Sequence, residues 1–153
     1  MANIVFNIAK GRVVEYYNRV KSNDPANSAI ILVPIETSGL EADATLIDVD
    51  TLAALIAGTP NEQTTMGRKT LTDADLAALP APDDGNDRYD VSLPTVTWSA
   101  ATGNAISKIA VCYDPDTTGG TDSNIVPLTM FDFAQTPSGA DIQMTTGVFF
   151  RAP

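Results

Sequence analysis

The sequence predicts a mainly β domain of the α+β class, in which a β-sandwich or barrel-like body carries an N-terminal arm or helix and two short helices. The second half of the chain alternates short strand-like segments with turn clusters, a pattern typical of sandwiches and barrels. Near residue 30, a compact apolar run rich in β-branched residues indicates a buried strand. The 153 residues, of which 44% are hydrophobic, are sufficient for one well-formed core.

The N-terminal region predicts a short strand or extended arm followed by a helix. Residues 3–8 alternate enough to suggest the extended segment. Residues 10–21 fit a helix because apolar side chains recur at helical spacing and form one stripe, which comprises Val13, Tyr16, Tyr17 and Val20. We therefore divide the chain into a basic N-terminal arm or helix at 1–22 and a single acidic β-rich domain at 23–153.

The middle of the chain predicts one buried strand, two weaker extended segments and two short helices. The buried strand lies at 29–37, and the weaker segments are 44–47 and 64–71. Helices are predicted at 51–57 and 73–79, because each Leu-Ala-Ala-Leu run follows residues able to cap a first turn and precedes a Gly or Pro that ends it. The candidate capping residues are Asp48, Asp50 and Thr72.

Five strands are predicted after an exposed acidic loop at 81–87. They are the segments 89–93, 95–99, 106–113, 125–133 and 142–150. Clusters of Asp, Pro, Gly, Thr and Asn separate them, and these residues favour turns. The spacing favours antiparallel strands joined by short connections.

Charge is unevenly distributed along the chain. The net charge is −10, yet residues 1–22 carry four basic residues against Glu15, a net charge of +3, and the remaining residues carry −13. The four basic residues, Lys10, Arg12, Arg19 and Lys21, are candidate contacts for an acidic neighbour. A chance cluster on a solvated helix is the alternative. The acidic body would repel phosphate backbones, which argues against nucleic acid as a partner.

No known catalytic motif is present in the sequence. The chain contains no histidine, which excludes Ser-His-Asp and Cys-His nucleophilic systems and histidine-ligated metals. Glycine-rich phosphate-binding loops are missing, and Cys112 is the only cysteine, within a strand-like apolar run. We therefore predict a protein that is not an enzyme and has no cofactor. No apolar run approaches the length of a membrane span, so no membrane association is expected.

The segment 114–122 resembles the start of a calcium-binding loop. Asp114, Asp116 and Asp122 place carboxylates at close spacing around two glycines. An EF-hand requires a bidentate acid at the twelfth position, which here is Ile125, so that motif fails. A β-turn stabilised by Asp, Pro and Gly is the favoured interpretation, and a weaker cation site of another kind is the alternative.

Phe149 and Phe150 are consecutive in a predicted strand. Because neighbouring side chains in a regular strand point to opposite faces, one of the two should be exposed or covered by a partner. This makes the pair a candidate aromatic interface. A strand that is buried on both faces is the alternative.

Several short sequence segments of the chain resemble segments of small virion structural proteins of tailed bacteriophages. They lie at residues 7–12, 23–28, 71–76, 82–88, 112–122 and 147–152. The resemblance covers nearly the whole chain, but it carries no active-site motif that could be transferred.

The resemblance implies a non-catalytic part of the virion, and a head decoration or cement protein is the expectation, because such proteins are often small, acidic and β-rich. The implied partners are the major capsid protein and further copies of this chain. The implied location is the head surface, after synthesis in the cytoplasm of the bacterial host. A tail or connector component and a glycan-binding module are the alternatives.

Overall fold

The computed structural model describes residues 4–58 and 61–153 and confirms a mainly β fold of the α+β class. Residue 3, where the first predicted strand begins, lies outside the described residues. The strands are β1 (Ile4–Val5), β2 (Ala29–Glu36), β3 (Lys69–Leu71), β4 (Tyr89–Leu93), β5 (Val96–Trp98), β6 (Ile106–Asp114), β7 (Val126–Gln135), β8 (Ile142–Met144) and β9 (Gly147–Ala152). The helices are α1 (Val13–Lys21), α2 (Asp43–Leu46), α3 (Leu52–Ala57) and α4 (Asp73–Leu76), and a 3₁₀ turn spans Asn7–Ala9.

The strands form one central sheet and two small ones, and every pairing is antiparallel. The central sheet has five strands in the order β1-β7-β6-β2-β3. The small sheets are β4-β9 and β5-β8, each with two strands. Sequence-adjacent strands β6 and β7 are neighbours, whereas β2 reaches β6 across the helical middle of the chain.

The central sheet is buried on both faces, which explains the continuous apolar run in β2. On one face, Ile30 and Leu32 share a core with α1, α4 and the two small sheets. On the other face, Ile31 and Val33 share a second core with α2 and α3. The successive residues of β2 therefore serve two different cores, and the strand fixes the positions of both layers.

Helix α1 is an integral part of the body, because all four residues of its predicted apolar stripe are buried in the first core. Tyr17 is fully buried between the rings of Tyr89 and Phe149. The basic region predicted as an arm or helix is thus a docked helix over residues 13–21. Only the outward side of α1 is available to a partner.

Several predicted segments differ from the observed elements. The helix predicted at 73–79 ends at Leu76, and the extended segment predicted at 3–8 is followed from Asn7 by a 3₁₀ turn. Residues 44–47 were expected to be extended but mostly form α2, since a short apolar run cannot distinguish a buried strand from a helical turn. The segment 64–71 is a strand only over β3, because the Gln63 side chain accepts the backbone N–H groups of Thr65 and Met66 and holds a turn. The predicted strand 142–150 is two strands in different sheets.

The helix caps follow the predicted chemistry with one change of residue. At α3, the hydroxyl of Thr51 accepts the N–H of Ala54 at 3.1 Å, so Thr51 caps the helix in place of Asp48 or Asp50. At α4, the backbone N–H of Thr72 donates to the carboxylate of Asp75 at 2.8 Å, which closes a capping box.

Candidate interaction surface

Three basic residues at and before α1 are exposed: Lys10 follows the 3₁₀ turn, Arg12 directly precedes α1, and Arg19 lies in its last turn. The Glu15 carboxylate lies between the two arginines, 3.2 Å from Arg12 and 3.1 Å from Arg19. Hydrogen bonding to Arg12 lowers the pKa of Glu15, and Arg19 adds to the effect. The two ion pairs fix the arginine heads along the helix, so the positive charge forms an ordered strip.

Lys21, the fourth predicted basic contact, is used within the molecule. Its ammonium group donates to the carbonyl oxygens of Leu79 and Pro80, at 2.8 and 3.4 Å. This contact holds the chain after α4 against the end of α1. The partner-facing part of the predicted basic set therefore reduces to Lys10, Arg12 and Arg19, which we call the basic strip.

An aromatic stack anchors the basic strip to the central sheet. The rings of Tyr16 and Tyr113 are stacked with centroids 4.6 Å apart, and the Arg12 guanidinium carbon lies 4.5 Å from the Tyr16 ring centroid. Tyr113 belongs to β6, at the centre of the sheet. The stack therefore connects the start of α1 directly to the central strand of the sheet.

The exposed acidic loop at 81–88 lies beside the same helix. It starts next to the contact of Lys21 with Pro80, and it ends where the Tyr89 hydroxyl donates to the Asn18 side chain at 3.2 Å. Within the loop, the Asp83 carboxylate accepts the Gly85 N–H and the Asn86 side-chain amide, which orders the turn. Positive and negative surfaces are thus neighbours at this end of the molecule.

The candidate cation residues Asp114, Asp116 and Asp122 form internal contacts instead of a shared site. Asp114 accepts the backbone N–H of Asp116 at 2.9 Å, and Asp116 accepts the backbone N–H of Thr118 at 2.9 Å, which is the turn favoured by the sequence. Asp122 pairs with Arg68 at 2.6 Å. Among residues 4–58 and 61–153, no group of three or more metal-ligating side chains is placed to hold a metal ion.

Arg68 is the centre of a network that sequence reasoning missed. Its guanidinium donates two hydrogen bonds to Glu62, at 2.7 and 2.6 Å, and two to Asp122, at 2.6 and 2.9 Å. Hydrogen bonding to Arg68 lowers the pKa of Asp122, and the two carboxylates raise the pKa of Arg68. Asp122 is 54 residues away in sequence, so spacing alone carries no signal for the pair.

Lys108 forms a second network that the sequence did not reveal. It is 9% exposed, and its ammonium group lies 2.6 Å from Asp132 on β7 and 3.2 Å from Asp43 at the start of α2. Burial alone would lower the pKa of Lys108, but the hydrogen bonds to Asp132 and Asp43 outweigh it and the pKa is raised. The lysine thus connects the central sheet to the helical layer.

The prediction for Phe149 and Phe150 assumed a regular strand, but β9 contains a β-bulge at this point. Val91 pairs with Phe150 and Ser92 with Val148, which leaves Phe149 without a partner in the ladder. Both phenylalanines pack against the first core, Phe149 at 1% exposure and Phe150 half-buried. Phe149 therefore offers no surface anchor, and Phe150 offers only part of its ring.

The aromatic platform expected of a glycan-binding module is not formed by the tryptophan or the tyrosines. Trp98 is 1% exposed, and its indole N–H donates to the carbonyl oxygen of Gly67 at 2.9 Å. All four tyrosines are buried, at 7% exposure or less. Stacking on a sugar ring requires an exposed aromatic face, so this alternative loses its supporting feature.

Comparisons with known proteins found no relative. A scan against protein-family models gave no match, and searches of curated proteins and of solved structures returned no significant match. None of the helices in the described ranges has the length and apolar character needed to cross a bilayer.

Proposed function

We propose that this chain is a structural subunit of a tailed-bacteriophage virion and acts as a head decoration, or cement, protein. The proposal depends on one observation: short sequence segments between residues 7 and 152 resemble segments of small virion structural proteins. The activity proposed is binding, with surface complementarity in place of a reacting group. Its partner is the assembled shell of the major capsid protein.

The charge distribution supports this role. The two arginines of the basic strip are held in place by Glu15, within a protein of net charge −10. Such a strip suits an acidic patch on a capsid subunit, while the acidic body keeps free copies from aggregating. A subunit that binds only the assembled shell stabilises that shell by mass action.

The construction of the body also suits a load-bearing subunit. The central sheet is packed on both faces, and the Arg68 and Lys108 networks tie its loops and its helical layer to the strands. Tightly packed interiors have low compressibility and transmit strain. A decoration protein that spans neighbouring capsomers needs this kind of stiffness.

Binding to capsids tests the proposal. Purified protein mixed with expanded empty capsids should show saturable binding by co-sedimentation, with sites distributed over the whole head in cryo-microscopy maps. Density confined to one ring at a vertex or along the tail would identify a connector or tail component instead. The absence of any density or binding would refute a virion role.

A pair of arginine substitutions tests the basic strip. Arg12→Glu reverses one charge in the strip, and we expect it to weaken capsid binding at least about tenfold and to reduce its dependence on salt. Arg88→Glu is the matched control, because Arg88 is also an exposed arginine with one surface ion pair, to Asp90. Equal losses for the two variants would indicate a general charge effect and exclude a specific role for the strip.

A further inference from the structure

Two long stretches of this protein, whose net charge is −10, are almost free of charged residues. Residues 91–107 contain no charged residue, and residues 133–150 contain Asp141 alone, although charged residues make up 18% of the chain. Both stretches are rich in Thr, Ser, Asn and Gln. Charge depletion is a characteristic of the centres of protein interfaces.

The fold brings these two stretches together at one end of the molecule. Strand β5 pairs with β8 in register, with Thr97 opposite Gln143. The flanking loops are joined by backbone hydrogen bonds, from Ala101 N–H to the Ala140 carbonyl at 3.0 Å and from Gly139 N–H to the Ala101 carbonyl at 2.7 Å. The exposed residues of 95–104 and 134–146 therefore form one surface, which we call the neutral face.

Two carboxylates at the neutral face accept hydrogen bonds from it, and the Lys69 ammonium lies 5.9 Å from the ring centroid of Trp98 in β5. The Asp141 carboxylate accepts the backbone N–H of Ala100 at 2.8 Å and fixes the loop between β5 and β6. At the border, the Glu36 carboxylate accepts the side-chain amide of Asn104 at 3.0 Å. The remaining exposed side chains of these two segments are hydroxyls, amides and small apolar groups.

We propose that the neutral face is the contact between two copies of this chain, related by a two-fold axis. In such a contact each residue near the axis meets the same residue of the other copy, so a charge there would face a like charge. Two copies that each carry −10 repel one another across their acidic surfaces. The exposed residues of the neutral face include one formal charge, that of Asp141, so this repulsion is weak there.

The chemistry of the neutral face is self-complementary. Hydroxyl and carboxamide groups both donate and accept hydrogen bonds, so identical groups can pair across a two-fold axis, whereas two carboxylates or two ammonium groups cannot. The side chains are already ordered: Thr95 and Thr146 are hydrogen-bonded at 3.0 Å, and Gln143 donates to Thr97 at 3.2 Å. Less conformational entropy is therefore lost when the surfaces meet.

This inference deepens the proposed function and rests on it, because a decoration protein is held beside further copies of itself on the shell. The division of labour follows from charge. The basic strip suits an acidic partner of another kind, and the neutral face suits an identical partner. Capsid binding and self-association are then separable properties of two separate surfaces.

Sedimentation equilibrium of the purified protein tests the inference. Wild type should show reversible self-association above its 16.1 kDa mass. Gln143→Glu/Thr145→Glu places two like charges on the neutral face, and we expect it to weaken self-association by about a hundredfold or more. Ala44→Glu/Thr45→Glu adds the same charge at exposed positions of α2 and should associate as wild type does.

A charge exchange separates a direct contact from a folding defect. Gln143→Lys/Thr145→Lys should also be monomeric alone, and a mixture of the Glu and Lys proteins should recover the dimer through opposite charges. Ser138→Glu adds a charge in a loop of the same face, outside β8, and it should weaken self-association as well. A wild-type monomer at all soluble concentrations, or a mixture that stays monomeric, would overturn the inference.

The two proposals fail differently. A dimer that depends on the neutral face but ignores every capsid would refute decoration and leave the contact standing. If wild type is a monomer, and wild type and Gln143→Glu/Thr145→Glu bind capsids equally well, the decoration role would stand and the proposed contact would be refuted.

Discussion

Two regions of the molecule, the ion-paired networks of Arg68 and Lys108 and the β5-β8 sheet, use polar groups in opposite ways. On the side covered by α2 and α3, Lys108 joins sheet and helix through Asp43 and Asp132, and the Arg68 network lies at the edge of the same body. Around β5 and β8, hydroxyl, amide and backbone groups make the polar contacts, and the two carboxylates there, Asp141 and Glu36, accept hydrogen bonds from uncharged groups.

The difference teaches what each chemistry leaves available. A guanidinium with four hydrogen bonds to two carboxylates has little capacity for another partner. A threonine hydroxyl that makes one internal contact keeps a further donor or acceptor position. The part-buried networks of Arg68 and Lys108 therefore stabilise this fold from within, and the uncharged polar groups around β5 and β8 keep positions for a further partner.

Substitution of Arg68 should produce the largest loss of stability among the variants considered. A small loss would contradict the structural role assigned to the ion-paired network. Arg68→Ala leaves Glu62 and Asp122 without their cation, and Glu62 is only 11% exposed. We expect the free energy of unfolding to fall by about 2–4 kcal/mol. This is less than for a fully buried ion pair that loses one partner, because the Arg68 side chain is 27% exposed. Urea denaturation measures it.

The control for Arg68 is Arg12→Ala, which removes an exposed arginine from a surface ion pair. An exposed ion pair and the contact of the exposed Arg12 side chain with the Tyr16 ring each contribute little to stability, so the stability loss should be clearly smaller than for Arg68→Ala. A similar loss in both variants would mean that the Arg68 network has no special structural role.

Substitutions of Gly103 and Gly139 test how the neutral face is attached to the rest of the domain. A Cβ at Gly103 would lie 2.2 Å from Gln63 Nε2, and the buried Gln63 amide holds both Asn104 and the turn at Thr65. Gly103→Ala should therefore cost about 2–3 kcal/mol of stability through overlap and broken hydrogen bonds. Thermal or urea unfolding measures the loss.

Gly139→Ala supplies the reference for that glycine. Gly139 has φ +89° with nothing within 4 Å of the added Cβ, so only backbone strain of about 1–2 kcal/mol is expected. If Gly139→Ala destabilises the protein as much as Gly103→Ala does, the contact with Gln63 is not the reason for the larger cost.

Acid should remove the contribution of the Arg68–Asp122 ion pair to the stability of the fold. Hydrogen bonding to Arg68 holds the pKa of Asp122 below the ordinary value of 3.8. The unfolded chain therefore takes up the proton first, so this stabilisation is complete above the unfolded pKa and is lost as the pH falls through the folded pKa. In urea titrations below about pH 4, Asp122→Asn should reduce the dependence of unfolding free energy on pH. An unchanged slope would place acid sensitivity elsewhere.

Local patterns predicted much of this fold. The apolar stripe of α1, the buried run of β2 and the turn clusters after residue 88 each reflect neighbouring residues, and these elements are observed. The break between β8 and β9 was not predictable, because it depends on the hydroxyl of Thr95, which accepts the Thr146 N–H from 51 residues away. The bulge at Phe149 likewise arises from pairing with β4.

The candidate surfaces divide in the same way. Exposed Lys10, Arg12 and Arg19 could be read from the sequence, because charge is a property of each residue. The networks of Arg68 and Lys108 could not, since their partners meet only in the folded chain. The charge-free stretches were visible in the sequence, but only the pairing of β5 with β8 shows that they form one surface.

The smallest expected effect distinguishes an ordered neutral face from one that is merely uncharged. Thr95→Val removes the hydroxyl that contacts Thr146 Oγ1 at 3.0 Å and accepts the Thr146 N–H at 3.1 Å. We expect a stability loss of about 0.5–1 kcal/mol, typical of a solvent-accessible hydrogen bond, and a modest weakening of self-association in sedimentation equilibrium. Thr70→Val, on the exposed position of edge strand β3, should change neither property. If Thr95→Val left self-association intact, the absence of charge alone would account for the contact, and ordering of its side chains would play no part.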